Sequence, residues 1–260
     1  MHTKSLLTVL SLLTVPTARA EEPTRLLYRT YAIGLHIADA EGVLGSGPWT
    51  YQIGLSFRTV GVARAIFAGQ QTNAVRGTWN AHIPQPEQYR AAGIWRGEDR
   101  TTLIDYTGGI PVVRQLLPPL EPERETVPEA LRANTTDTLS ALAALVRAVA
   151  RTGSCETILR IFDGRRLAEI VARSAGETNL EPTSRSVFAG PALRCDFVSR
   201  VLAGFRPDEG SKTDYRPLRG SAWIGRIAVD GPPIPVRLTI ETRWFGDATS
   251  YLTEVSRGGP

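Results

Sequence analysis

Apolar side chains recur at every second position through much of this chain. Trp49, Tyr51, Ile53, Leu55 and Phe57 alternate with Thr50, Gln52, Gly54, Ser56 and Arg58. Only an extended strand sends successive side chains to opposite faces, so the run predicts a half-buried strand. Tyr31, Ile33, Leu35 and Ile37 continue the theme, as do Thr102, Ile104 and Tyr106. So do Leu193, Cys195 and Phe197, then Ile234, Val236, Leu238 and Ile240 near the end. Turn chemistry separates the runs. Asp163-Gly164-Arg165-Arg166 lies between residues 158–162 and 167–171, and Asp-Gly supplies the positive φ angles of a tight hairpin. Asp230-Gly231-Pro232-Pro233 joins 222–229 to 234–242 in a wider loop. Residues 42–47 and the Pro-containing 83–87 are expected to connect two further strand pairs.

One segment departs from this period. Over residues 138–150, Leu139, Leu142, Val146 and Val149 fall on one face at helical spacing. Thr136 or Asp137 can cap its start and Gly153 its end. Residues 127–133 suggest a shorter helix at Pro128, and the Pro- and Gly-rich stretch 108–128 reads as a crossing loop. About ten strands and one good helix predict a mainly β fold: a curved antiparallel sheet or half-open β-barrel, with the α-helix packed on its concave apolar face. The expected layout is a single β-rich domain over 21–260. It comprises N-terminal strands (21–107), a loop plus helix (108–154) and C-terminal strands (155–260).

Residues 1–20 have the order of an export signal: a short n-region with Lys4, an apolar run over 6–15, and Ala18-Arg19-Ala20 before acidic Glu21-Glu22. Cleavage is expected between Ala20 and Glu21, placing the mature protein in the periplasm. The apolar run falls well short of the roughly 20 residues a spanning helix needs, and no later stretch is long and apolar enough to form a transmembrane segment. Lys4 and Arg19 lie in this leader. Without them 28 basic residues stand against 26 acidic ones, a net of +2, so the basic pI does not argue for nucleic acid. Nearly all the cations are Arg. They suit solvated faces or, in the sharper reading, bidentate contacts to phosphate or carboxylate.

Two cysteines, Cys155 and Cys195, remain. In an exported protein an even count favours a disulfide. The rivals are a metal site or a catalytic thiol, but only His36 and His82 lie beyond the leader and neither is near a Cys in sequence. No metal ligands and no cofactor are assigned. Known catalytic signatures are absent, including G-x-S-x-G, H-E-x-x-H, the phosphate-cradling P-loop and C-x-x-C. No catalytic residues are assigned. Glu98, Asp99 and Asp105 beside Trp95 and Tyr106 could serve carboxylate chemistry on glycans; the plainer expectation is an exposed turn pair and a polar-face Asp. His36 is expected to face solvent or accept a local hydrogen bond in its strand.

The order of motifs resembles an exported bacterial family, domain of unknown function 3108. It is carried by Phe162-Asp163-Gly164-Arg165-Arg166, then Gly190-Pro191-Ala192-Leu193-Arg194-Cys195, Gly204-Phe205-Arg206 and Ile234-Pro235-Val236-Arg237-Leu238. Asp196 and Phe197 depart from the more basic stretch expected after the cysteine. The resemblance implies a periplasmic, mostly β protein akin to half-barrel lipoprotein carriers, and carries over no activity and no site residue. The expected function is non-catalytic binding or carriage of an apolar or amphipathic envelope molecule, such as a lipid. The alternative is an envelope interaction or assembly protein with an unidentified protein partner, and a glycan hydrolase stands behind both.

Overall fold

The computed structural model describes residues 23–120, 124–206, 215–242 and 246–257. The export signal and its cleavage point lie outside them. Among the described residues thirteen strands form one antiparallel sheet that nearly closes into a barrel. They are β1 (Thr24–Ala32), β2 (Leu35–Ser46), β3 (Thr50–Thr59), β4 (Gly69–Asn80), β5 (Ile83–Trp95), β6 (Glu98–Thr107) and β7 (Ile110–Leu117), then β8 (Thr157–Phe162), β9 (Leu167–Leu180), β10 (Gly190–Ala203), β11 (Leu218–Gly225), β12 (Ile234–Glu241) and β13 (Asp247–Arg257). A short helix, α1 (Gly61–Ile66), links β3 to β4, and the main helix is α2 (Thr138–Thr152).

The sheet runs as two meanders joined where β1 pairs with β13, which leaves β7 and β8 at its edges. The segment between those edges closes the gap. Asn134 N donates to Gly109 O at 3.0 Å, Thr136 N to Arg160 O at 2.9 Å, and Phe162 N to Thr136 O at 2.8 Å. Edge groups that would otherwise be open to a foreign strand are thereby paired. Antiparallel order puts the connections at 33–34, 60–68, 96–97 and 163–166, and residues 204–206 after β10, at one end, the mouth. Those at 47–49, 81–82, 108–109, 181–189 and 226–233 fall at the other, the base.

Helix α2 runs inside the barrel from mouth to base. Asp137 caps it, its Oδ1 accepting from Leu139 N and Ser140 N at 2.9 Å each. Gly153, at φ 66°, ends it by donating to Val149 O. The expected face of Leu139, Leu142, Val146 and Val149 understated its burial. Leu139, Ser140, Ala141, Ala143, Ala144 and Leu145 are all buried, whereas Leu142 and Val146 are only half-buried. The alanines let the barrel wall approach from both sides. Leu139 and Ala143 join a core with Tyr51, Ile53, Val75, Ile104 and Phe162. Leu145 joins another with Cys155, Ala172, Cys195, Ala222 and Ile224. Cys155 and Cys195 are bridged, with Cα atoms 5.6 Å apart.

Four readings of the sequence change. The 108–128 stretch contains β7, an edge strand in which Pro111 is tolerated because one side of the backbone needs no partner. The alternation across Tyr31, Ile33, Leu35 and Ile37 spans a turn: Ile33 and Gly34 take φ 45° and 81°, and Ala32 pairs with Leu35. Residues 42–46 continue β2 and 83–87 open β5, so the actual turns are 47–49 and 81–82. The helix expected over 127–133 shrinks to a single 3-10 turn, Glu129–Leu131.

Candidate functional site: an arginine-lined mouth

Below the mouth the lumen is filled by α2. Above the helix a cavity of about 370 Å³ remains. Cross-strand rows build its wall. Leu55, Asn73, Ala91 and Thr102 are successive partners across β3 to β6, and Gln71, Gly93 and Arg100 form the next row outward. Thr138 and Leu139, at the start of α2, line the cavity as well. Five arginines complete it: Arg100 from β6, Arg124 from the seam, Arg165 and Arg166 from the β8–β9 turn, and Arg206 after β10.

Local hydrogen bonds place four of the five arginines. Asp163 Oδ1 accepts from Arg165 N (2.9 Å) and Arg166 N (2.7 Å), and its Oδ2 accepts from Arg166 Nε (2.9 Å) and Nη2 (2.8 Å). Gly164, at φ 90°, permits the tight turn. Arg165 Nη2 donates to Pro118 O at 2.6 Å, fastening this turn to the end of β7. Arg124 Nη1 donates to Gly204 O (3.1 Å) and Tyr215 OH (3.3 Å), and Arg100 Nη2 to Glu98 Oε2 (3.3 Å). Gly204, at φ 81°, lies so close to the Arg165 carbonyl that a side chain there would collide with it. Two stretches that carry the family resemblance, Phe162–Arg166 and Gly204–Arg206, therefore meet at this cavity.

A buried polar chain lies beneath. Ser140 Oγ donates to Asp137 Oδ2 at 2.5 Å, which leaves it to accept from the Tyr51 hydroxyl at 2.7 Å. Burial raises the Asp137 carboxyl above its ordinary pKa, against the hydrogen bonds from Ser140 and the cap amides. Burial likewise raises the Tyr51, Tyr89 and Tyr106 phenols, keeping them neutral. Tyr89 OH donates to Asn73 Oδ1 at 3.2 Å, while the Tyr106 hydroxyl has no partner among the described residues.

Five guanidinium groups and the Asp163 carboxylate line the cavity; Arg100 is paired with Glu98, and Asp163 accepts four hydrogen bonds within its own turn. The amino end of α2 adds its positive dipole. The arrangement suits a phosphate or carboxylate held by bidentate and backbone contacts. A larger groove of about 930 Å³ crosses β1 to β5 beside residues 184–187, and both acids and cations line it. Arg25 grips Glu41 at 2.7 and 2.9 Å, and Asp39 accepts from Arg58 at 3.2 Å.

The carboxylates singled out in the sequence do not assemble. Asp105 accepts from Gln88 and Arg114 at 2.9 Å each, and both hold its carboxyl below the usual range, the opposite of what a general acid needs. Asp99 stands six residues away on the same strand, about 20 Å along it, against at most about 9.5 Å for a glycosidase pair. His36 makes a local 2.8 Å contact with Asp39, and His82 sits in the exposed β4–β5 turn. No group of three His, Cys, Asp or Glu residues suited to a metal occurs among the described residues. No helix there is long and apolar enough to cross a membrane.

Arg165-Arg166 was visible as the only basic doublet. Arg100, Arg124 and Arg206 carried no local signal of their convergence, and neither did the pairing of Tyr51 with Ser140. The family model described as "Protein of unknown function (DUF3108)" matches residues 27–253. None of the curated proteins compared is significantly similar to the chain. Among solved structures, a beta-barrel-like protein of the domain of unknown function DUF1849 from Brucella abortus is similar at a TM-score of 0.53 and 10% identity, over 92% of this chain and 99% of that one. At that identity the likeness speaks for the fold alone.

Proposed function

The chain belongs to the family of proteins of unknown function DUF3108, and from that premise we propose that it is a non-catalytic, exported protein of the periplasm that holds the anionic head of an amphipathic envelope molecule in its mouth. The observation that carries this reading is the convergence of five arginines on one cavity at the positive end of α2. The volume, about 370 Å³, suits a headgroup rather than an acyl chain, because α2 occupies the lumen below. The Cys155–Cys195 bridge supports export, since disulfides persist in oxidising compartments.

Calorimetric titration with dihexanoyl phosphatidylglycerol, with zwitterionic dihexanoyl phosphatidylcholine as the comparison of zero net charge, tests the reading. Binding of the anionic lipid is expected, weakened about tenfold by Arg206→Gln and weakened again by added salt. Equal affinity for the two headgroups, or no heat with either, would sink it. The filled lumen also favours a second reading, an envelope interaction protein with no small ligand. In that case cross-linking in the periplasm captures one defined protein partner while both titrations stay flat.

A further inference from the structure

The mouth carries a second feature, independent of what its cavity binds. Three neighbouring tips at this end present large apolar side chains to solvent. Ile33 and Leu35 at the β1–β2 turn are 68% and 48% exposed, and Val62 and Ile66 on α1 are 51% and 64% exposed. Ile94, just before the β5–β6 turn, is 41% exposed. The tips are locked together. Val60 N donates to Ile37 O at 2.9 Å, and Arg96 N to Ala68 O at 2.8 Å. The Phe67 and Trp95 rings stand 6.3 Å apart, and Ala63 anchors α1 in the core. Val62 and Ile66 are one helical turn apart and so project side by side.

Two details argue that this rim has a task. Ile33 adopts φ 45°, a left-handed conformation that a β-branched residue rarely takes, where Asn or Gly would be relaxed. Nothing buried requires an isoleucine there. The cations Arg64 and Arg96 stand among the apolar tips, and neither is bonded to an acid among the described residues.

We propose that this rim docks the protein on an anionic lipid surface, its aliphatic tips sinking into the headgroup layer while Arg64 and Arg96 meet lipid phosphates. Separated apolar spikes with cations between them fit a fluid interface, into which each tip can sink alone. A protein partner instead needs a continuous complementary patch of about 800 Å². Docking by the rim also turns the arginine-lined cavity toward the headgroup plane, where anionic lipids attract it.

Co-sedimentation with sucrose-loaded vesicles tests this, using the chain from residue 21, which contains every described residue. Vesicles of phosphatidylcholine and phosphatidylglycerol at about 3:1 are expected to carry the protein down, and pure phosphatidylcholine vesicles to carry much less. The double variant Ile33→Asn, Ile66→Ser should lower binding about tenfold. Asn suits the left-handed backbone, so Ile33→Asn alone should keep or raise the melting temperature, which separates lost docking from lost folding. Three results overturn the proposal: wild-type protein left in the supernatant with the anionic vesicles, a double variant that binds as well as wild type, or a wild-type dimer abolished by the double variant. The rim double variant on vesicles reads the rim and the short-chain titration reads the cavity, so either can fail alone.

Discussion

At the base of the barrel a half-buried cation packs onto an aromatic ring and two backbone carbonyls, whereas at the mouth several cations are gathered around a cavity. Arg147, near the end of α2, lies 4.4 Å over the Trp79 ring and donates to Gly47 O (3.3 Å) and Pro48 O (3.1 Å). Its guanidinium thereby ties the helix to the β2–β3 turn. Phe188 closes the same end from the other side, packed with Leu26, Leu180 and Leu252. Val187 N donates to Leu252 O at 2.9 Å, taking up the edge of β13 beyond its pairing with β12. The mouth has the same raw material, arginines and backbone carbonyls, but sets it around a cavity of about 370 Å³. The contrast separates stability from binding: the base should carry the first and the mouth the second.

Removing the disulfide challenges that division most severely. The bridge ties the link between α2 and β8 to the middle of β10, closing a 40-residue separation. Cys155→Ser with Cys195→Ser should lower unfolding stability by about 4 kcal/mol, read from urea denaturation. Headgroup binding by whatever protein remains folded should be unchanged. If binding is lost while the fold persists, the two ends are not independent and the division fails.

Arg147→Ala is the next largest test. It removes the cation–π contact and two hydrogen bonds to carbonyls, for an expected loss of about 1–2 kcal/mol by the same measurement. Burial lowers the Arg147 pKa, with Arg151 adding to the effect, as expected of a cation partly withdrawn from water. An unchanged midpoint would show that Phe188 and the bridge seal the base without it.

The difference between the ends also explains what could be read in the sequence. Features made by neighbouring residues were visible. Asp137 and Gly153 bracket α2, Asp163-Gly164 turns the β8–β9 hairpin, and Tyr51, Ile53 and Ile104 point inward from their alternating runs. Export context and an even count were enough to pair Cys155 with Cys195. The turn at Ile33-Gly34 was hidden because a two-residue turn lets apolar alternation run on across it, and the expected residue at such a turn is Asn or Gly. Strand β7 was hidden by Pro111, which its edge position tolerates. The site was hidden for a different reason. Arg100, Arg124, Arg165 and Arg206 meet only because β7 and β8, 39 residues apart in sequence, become facing edges of the closing sheet. No spacing rule describes that convergence, because barrel closure rather than local geometry produces it.

The mildest test sits where the two regions meet, at the amino end of α2. Asp137 is fully buried beneath the cavity, and burial raises its carboxyl pKa. A raised pKa in the folded state means that the native protein holds this proton more tightly than the unfolded chain does. The stability it contributes is complete below the unfolded carboxylate value of about 4 and is lost as pH rises through the folded value. Asp137→Asn keeps an oxygen for the cap amides and cannot ionise. Compared with that variant, wild type should therefore be relatively more stable at acid pH and relatively less so toward neutrality, in urea denaturation across pH 4–7. The opposite slope would mean that the helix cap, Ser140 and the nearby arginines hold Asp137 as a favoured anion. The positive mouth would then stabilise the fold as well as bind, and the separation between the two ends would have to be redrawn.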